Sequence, residues 1–374
     1  MRIGIDATCL ESPHRGGVAR ILSNLFTLWP RMTTRHQFIL YFEHSVPHDE
    51  FLRHSAFEHR VIRRPPPLKG SSIPRDQILL PRQIGRDKID LFFAPWYHAP
   101  VYCPAARTII GAWDISFYTH RHHYSLREGL RLALLSSISC RHASGIFTCS
   151  AFDKAQIERH YGISSNRICV LPLAPDRKFT QLTDSARVEA LRRKYHLPEK
   201  YILSMGTIFN RRNVDVIIDA FNAVCREYPQ VGLVVIGHNL TVPRVDIESR
   251  MRPLTAAGRG TYLAWAPEEE LVDFYNGAWY YICTSTVDGE STMLKEAMRC
   301  GTPVITSPLL EETIGGHGVI VEDPASREHL SRTFRHIIPD AELRERRAVE
   351  GLQWSASLSW EKVARMSLEF IESC

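Results

Sequence analysis

The chain has 374 residues, 44% hydrophobic and 23% charged, the balance of a soluble globular protein with length for about two domains. Its 22 Pro and 21 Gly are scattered, which excludes a collagen-like or low-complexity chain, and no run of roughly 18 apolar residues indicates a spanning helix. The net charge of +5 hides an asymmetry: residues 1–183 carry 24 Lys/Arg against 14 Asp/Glu, and residues 184–374 carry 22 against 27.

In chain order, short apolar and β-branched runs predict strands at Ile3–Asp6, Phe38–Phe42, Leu91–Ala94, Thr108–Ala112, Gly145–Ser150 and Ile168–Leu171. Helical patterns lie between several of them. Val18, Ile21, Leu22, Leu25 and Phe26 fall on one helical face, and Leu126, Leu130 and Leu134, four apart, predict a second apolar face. A second series follows at Tyr201–Met205, Leu233–Ile236, Tyr262–Ala264, Tyr280–Cys283, Val304–Thr306 and Val319–Val321. Val214, Ile217, Ile218, Phe221 and Val224 sit at helical spacing there, with Asn213 placed to cap. Continuous apolar strands alternating with amphipathic helices predict parallel sheets covered on both faces. The class is therefore α/β, with two doubly wound domains and a boundary in the polar stretch Asp176–Arg192.

Ligands of such sheets bind beyond the carboxyl ends of the strands, so the residues after each strand are the ones to read. After the first strand, Gly16-Gly17 opens a helix, and paired glycines there let backbone N–H groups approach an anion. No full G-x-G-x-x-G occurs, so the nicotinamide dinucleotide fingerprint is missing. Gly206-Thr207 leads to Arg211-Arg212 at a strand-to-helix junction, where guanidinium groups suit phosphate oxygens. After Tyr280–Cys283 come Asp288, Gly289, Glu290, Ser291, Thr292 and Glu296. Ser291 or Thr292 is placed to cap a helix whose first N–H groups favour a diphosphate. Glu296 is expected in the first turn, within reach of a ribose-like hydroxyl.

The basic first half, densest at His59–Arg64 and at residues 120–123, predicts an anionic contact such as a membrane surface or a phosphate-linked acceptor. Nucleic acid is not expected, since the basic residues line no single helix and no nucleic-acid motif occurs. The nine cysteines are widely spaced with no C-x-x-C, which predicts free thiols in a reducing compartment and no metal site. The N-terminal ten residues, broken by Arg2 and Asp6, do not read as a signal peptide. Residues 65–72 read as a loop on the acceptor side.

These segments together resemble the retaining GT-B glycosyltransferases, in particular glycosyltransferase family 4. The signature E-G-F-G-x-x-x-x-E-A-M-A-x-G-x-P-V stands here as Asp288-Gly289 through Glu296-Ala297-Met298 and Gly301-Thr302-Pro303-Val304. Gly206-Thr207 with Arg211-Arg212-Asn213 is similar to G-T-x-x-x-R-K-N. Glu268-Glu269-Glu270-Leu271 with Tyr275 and Ala278 resembles E-E-L-x-x-x-Y-x-x-A, and Gly17 to Arg20 resembles the family's glycine loop. Two positions depart from the pattern: Asp288 replaces the first Glu, and Trp113-Asp114 replaces a His-Asp pair.

The resemblance implies two facing Rossmann-like domains with an interdomain cleft: an acceptor-side domain over 1–183, a nucleotide-sugar domain over 184–358, and a helix over 359–374 crossing back to the first domain. It implies that Arg211 and Arg212 hold the diphosphate, that Glu296 binds ribose hydroxyls, and that Asp288 with the backbone of Gly289 to Ser291 meets the donor sugar. Gly16 and Gly17 would close over the phosphates, and Trp113, Asp114, His120 and Arg20 are acceptor-side candidates. The implied reaction moves a hexose (mannose, glucose or a 6-deoxyhexose) from a nucleotide diphosphate sugar to a glycan or lipid-linked glycan, with retention, in bacterial surface polysaccharide synthesis. It needs no metal or cofactor, and the implied place is the cytoplasm, at the inner face of a membrane. A catalytically silent nucleotide binder and a nucleotide-sugar epimerase of the same fold are the alternatives.

Overall fold

The computed structural model describes residues 1–12, 16–32, 35–64, 73–119, 126–287 and 289–374. Its contacts divide the chain into one unit of Met1–Leu173 with Ser359–Cys374, and a second of Ala174–Leu358.

The first unit runs β1 (Arg2–Asp6), α1 (Gly17–Met32), β2 (Gln37–Phe42), β3 (Phe57–Val61), α2 (Leu80–Arg86), β4 (Leu91–Ala94), β5 (Arg107–Gly111), α3 (Ser116–Thr119), α4 (Leu126–His142), β6 (Gly145–Thr148), α5 (Ala151–Tyr161) and β7 (Ile168–Val170). The second runs α6 (Ala186–Tyr195), β8 (Lys200–Met205), α7 (Val214–Val224), β9 (Val231–Ile236), α8 (Ile247–Ala256), β10 (Gly260–Leu263), α9 (Leu271–Gly277), β11 (Tyr280–Cys283), α10 (Thr292–Arg299), β12 (Val304–Thr306), β13 (Val319–Ile320), α11 (Arg327–Ile337) and α12 (Ala341–Ala356). A last helix, α13 (Trp360–Ser373), belongs to the first unit.

Both sheets are parallel, ordered β3-β2-β1-β4-β5-β6-β7 and β10-β9-β8-β11-β12-β13. Strands buried on both faces need no polar alternation, so Phe38–Phe42, Leu91–Ala94 and Tyr280–Cys283 read as unbroken apolar runs and are buried throughout. In each sheet the strand order reverses at one place, between β1 and β4 in the first and between β8 and β11 in the second. Chain connections leave in opposite directions there and open a crevice at the carboxyl ends of the two strands.

Three expectations change in the first unit. Sequence reading missed β3, because this edge strand carries Glu58, His59 and Arg60 where an inner strand carries apolar residues. Within the basic stretch that begins there, Arg60 pairs with Glu58 and Asp87, and Arg64 with Glu43, so part of its charge is neutralised inside the fold. The leucine face of α4 points outward: Leu130 and Leu134 are 66% and 59% exposed, while Ala133, Ser136, Ser139 and Cys140 face the core. Small residues on that buried side let α4 lie close to the sheet; spacing alone does not tell which side is covered. No helix among the described residues is long and apolar enough to cross a membrane.

The final helix is tied in by side chains that sequence separation conceals. Trp29 of α1 is wholly buried, stacks on Phe38 at 5.5 Å and donates its indole N–H to Ser367 Oγ at 3.0 Å. Phe370 packs on Phe147 at 5.4 Å between ring centroids, and Glu372 meets His36 at 2.8 Å. Trp29→Ala is therefore expected to lower stability by about 3–5 kcal/mol, the cost of emptying a large aromatic site. Urea unfolding followed by circular dichroism checks this, and a loss under ~1 kcal/mol would refute the contact's importance. Burial pushes the Cys140 thiol up to about 11 and the Cys300 thiol up to about 12. Both are expected to resist iodoacetamide at about pH 8 in the native protein and to react once urea exposes them. Peptide mass spectrometry reads the difference.

Candidate functional site

The reversal point of the second sheet gathers the sequence-predicted residues that the described chain includes in this unit. After β8 the chain enters Gly206 with φ +120°, a conformation side chains rarely adopt. A Cβ at Gly206 would run into the Arg212 guanidinium and come within 2.8 Å of Met293 Sδ in the first turn of α10. The missing side chain thus lets an arginine from one loop and the start of α10 from another meet over the end of β8. Thr207, half-buried, follows, and the turn Asn210–Arg212 leads into α7.

The two loops are fastened to each other by hydrogen bonds. Thr286 N donates to Arg211 O at 2.8 Å, Asn213 Nδ2 to Thr284 O at 2.8 Å, and Arg211 Nε to Val287 O at 3.0 Å. The strands beneath are joined by Tyr281, whose hydroxyl donates to Met205 O at 3.0 Å. Asn213 therefore does not cap α7 with its side chain, as its position in the sequence suggested. It is buried at φ +52° and spends its amide on the neighbouring loop.

Arg211 is held in a defined pose. Its guanidinium lies 4.3 Å from the Phe209 ring centroid and its Nε is engaged by Val287 O, while its two terminal nitrogens have no hydrogen-bond partner among the described residues. A guanidinium anchored through Nε presents its remaining N–H groups as a fork for a phosphate.

The start of α10 lies in the same loop system. Ser291 holds the N-cap position but caps no N–H group with its hydroxyl, which sits 3.8 Å from Cys283 Sγ. Thr292 is the first helical residue; Leu294 N already donates to Ser291 O at 3.1 Å, and the N–H groups before it in a first turn lack intrahelical partners. Glu296 lies one turn further in than expected: no acidic residue occupies the first turn, and the carboxylate is buried. It accepts the Tyr275 hydroxyl at 3.1 Å. Burial, reinforced by Glu296, pushes the Tyr275 phenol far up, so Tyr275 stays a neutral donor that fixes the carboxylate. Sequence reading had Tyr275 only as a motif letter.

Glu290 is turned inward. It forms an ion pair with Lys295, both side chains only 3–4% exposed, and the ammonium lies 5.9 Å from the Trp354 ring. Glu290 stands where the resembled signature has Phe, and its carboxylate serves the packing of this loop. Gly289 is half-buried beside it. Asp288 lies outside the described residues, as do His120 and residues 65–72.

Of the candidates in the first unit, Gly16 and Gly17 are exposed at the start of α1, with open space where a Cβ would stand. Arg20 is half-buried one turn along α1. Trp113 is 7% exposed, donates its indole N–H to Pro95 O at 2.8 Å, and packs on Gly111, where a Cβ would come within 2.8 Å of the indole nitrogen. Its ring is a packing element and offers no face to a sugar. Asp114 is half-buried and accepts the Tyr97 hydroxyl at 3.0 Å. An exposed Trp265 just after β10 is a further feature the sequence reading passed over.

The Glu290–Lys295 pair generates a stability test. Lys295→Met removes the ammonium paired with a buried carboxylate and is expected to cost about 3–5 kcal/mol, whereas the double variant Glu290→Leu/Lys295→Met should lie near the parent or above it. Chemical denaturation of all three proteins checks this. Equal losses in the single and double variants would refute the pairing.

Comparison with known proteins follows the same division. Residues 188–354 match the family model of glycosyl transferases group 1, and residues 15–179 match that of Glycosyltransferase Family 4. The serotype-specific mannosyltransferase WbdA of Escherichia coli is 24% identical over 61% of this chain, an aligned stretch that spans only 28% of WbdA itself. The O-antigen chain mannosyltransferase B of Escherichia coli is 27% identical over 73% of this chain and 72% of that protein. Among solved structures, Anabaena Alr3699/HepE in complex with UDP and glucose superposes with a TM-score of 0.75 at 16% identity, covering all of both chains. Two parallel Rossmann-like sheets with these matches make the fold GT-B, and the chain belongs to the group 1, family 4 glycosyltransferases.

Proposed function

We propose that this protein transfers a hexose, with retention of configuration, from a nucleotide diphosphate sugar to a glycan or lipid-linked glycan in bacterial surface polysaccharide synthesis. The observation that carries the reading is Arg211: a guanidinium anchored through Nε and stacked on Phe209, with two terminal nitrogens free, among the described residues, at the reversal point of the sheet. Arg212 and the first N–H groups of α10 lie in the same loop system. Together they suit the negative charge that grows on a departing diphosphate, and such preorganised donors act without reorganisation cost at the moment of reaction.

The transfer balances with no covalent protein intermediate. The bond between the sugar's anomeric carbon and the diphosphate oxygen breaks. The acceptor oxygen bonds to that carbon from the same face, and its proton passes to the departing diphosphate. Glu296, set by Tyr275, is the carboxylate for ribose hydroxyls. Asp288 and Asp114 are assigned to the donor sugar and the acceptor side by resemblance. A metal has no part in this scheme, since guanidinium and helix N–H groups meet the charge.

Mannose is the favoured sugar, because WbdA and the O-antigen chain mannosyltransferase B are named for it. Work at the cytoplasmic face of a membrane agrees with the charge surplus of residues 1–183 and with α4, which carries outward Leu130 and Leu134 and the exposed Arg131. Apolar side chains flanked by cations suit an anionic lipid surface.

Incubation with GDP-mannose, UDP-glucose and TDP-rhamnose, with glycan acceptors and product analysis by NMR, tests the reading. Formation of an α-linked product from an α-linked donor is expected; release of free sugar or epimer alone, or no turnover of any donor, would overturn it. Arg211→Ala is expected to slow transfer by ~10²-fold or more while leaving the fold intact by circular dichroism. A near-parental rate would remove Arg211 from the machinery.

A further inference from the structure

The first unit has its own reversal point, between β1 and β4, and a cavity of about 240 Å³ opens there. Asp6 is the last residue of β1 and Ala94 the last of β4, and both line it. The cavity occupies in this sheet the topological place that the Arg211 loop occupies in the other, which is where open α/β sheets take ligands. It is smaller than the roughly 300–1,000 Å³ of a pocket for a drug-sized ligand and fits one sugar ring.

Its chemistry differs from that of the second unit. Arg75, on a π-helical turn over Arg75–Leu79, is only 2% exposed. Nη1 bonds Asp6 and Asp76 at 3.1 and 2.9 Å, while Nε is buried with no partner. Asp76 accepts through Oδ1 alone, which leaves Oδ2 unengaged among the described residues. The imidazole of His98, also in the wall, makes no hydrogen bond among the described residues, and burial holds it below its usual pKa against the pull of Asp76 and Asp6. A neutral imidazole offers one donor and one acceptor. Trp96, 37% exposed, adds an aromatic face.

We propose that this cavity binds a neutral pyranose of the acceptor glycan, with Asp76 and His98 on ring hydroxyls, Trp96 against an apolar C–H face, and Arg75 as the positioning residue that locks the carboxylates. The inference rests on the glycosyltransferase reading above and names the acceptor class. A sugar phosphate or the phosphate of a lipid carrier is disfavoured here, although residues 1–183 are basic overall. The wall sets Asp6, Glu43 and Asp76 against Arg75 and Arg131; Glu43 is paired with Arg64, and Arg75 is already committed to Asp6 and Asp76, so no uncommitted excess of positive charge faces the cavity. Hydroxyl groups supply both donors and acceptors, which a mixed wall of this kind satisfies and a dianion does not.

The test is a ligand-observed NMR titration of the full chain with methyl α-mannoside, methyl α-glucoside, methyl α-galactoside, methyl α-rhamnoside and mannose 6-phosphate. At least one neutral glycoside is expected to bind, and more tightly than the phosphate. Asp76→Asn and Trp96→Ala should each weaken it about tenfold or more, the loss of one charge-assisted hydrogen bond or one stacked face. UDP and GDP titrations of the same proteins should be unchanged within about twofold, which also shows that the variants fold. No binding of any neutral glycoside, tighter binding of mannose 6-phosphate, or indifference to both substitutions overturns the proposal. Nucleotide binding and donor turnover intact alongside such a result would leave the glycosyltransferase reading standing; failure of both nucleotide titrations and of donor turnover would remove that reading instead.

Discussion

The close approach at Gly206 governs the geometry of the candidate site. Only a residue without a side chain accepts both the φ of +120° and the Arg212 guanidinium pressed against it from one side, with Met293 from the other. From that contact the rest follows. The β8 loop and the start of α10 share one small region, and the hydrogen bonds from Thr286, Asn213 and Arg211 lock them together. Cationic side chains and helix N–H groups held by the backbone in this way form a fixed polar environment for an anion, which mobile surface cations do not provide.

Beneath the loops, unusual buried polar groups do the holding. Tyr275 keeps Glu296 in place through a hydroxyl that burial prevents from ionising. Glu290 and Lys295 satisfy each other in a spot where the related signature has an aromatic residue. A buried pair of this kind adds little net stability compared with apolar packing, but removing one member is costly. Its presence here ties the conformation of residues 289–291 to α10 and, through Trp354, to α12.

The two reversal points contrast in charge. The one in the second sheet holds Arg211, whose Nε is anchored on Val287 O and whose ring contact with Phe209 fixes its pose. The one in the first sheet is crossed by Arg75, whose charge is already spent on Asp6 and Asp76. Under the two proposals above, one topology provides two ligand positions, and the side chains make one suit an anion and the other a neutral, hydroxyl-rich group. The asymmetry is local, and it runs against the overall charge of the two halves of the sequence.

The sequence by itself determined the α/β class, most strands, and the place after β8 and β11 where the candidate residues gather. These are properties of local period and of spacing along the chain: an inner parallel strand must be continuously apolar, and a strand-to-helix loop must carry its glycines and arginines within a few residues. It did not determine which strand lies at an edge, so β3 with its charged residues went unread. It did not determine which face of α4 is covered: the apolar face that carries Leu130 and Leu134 is the exposed one. Nor did it reveal that Trp113 is buried against Gly111 and Pro95, that Glu290 turns to Lys295, or that Arg75 and Asp6, far apart in sequence, share a cavity wall with His98. Each of these depends on partners brought in by other elements, and burial and pairing of a side chain are settled only when those elements pack.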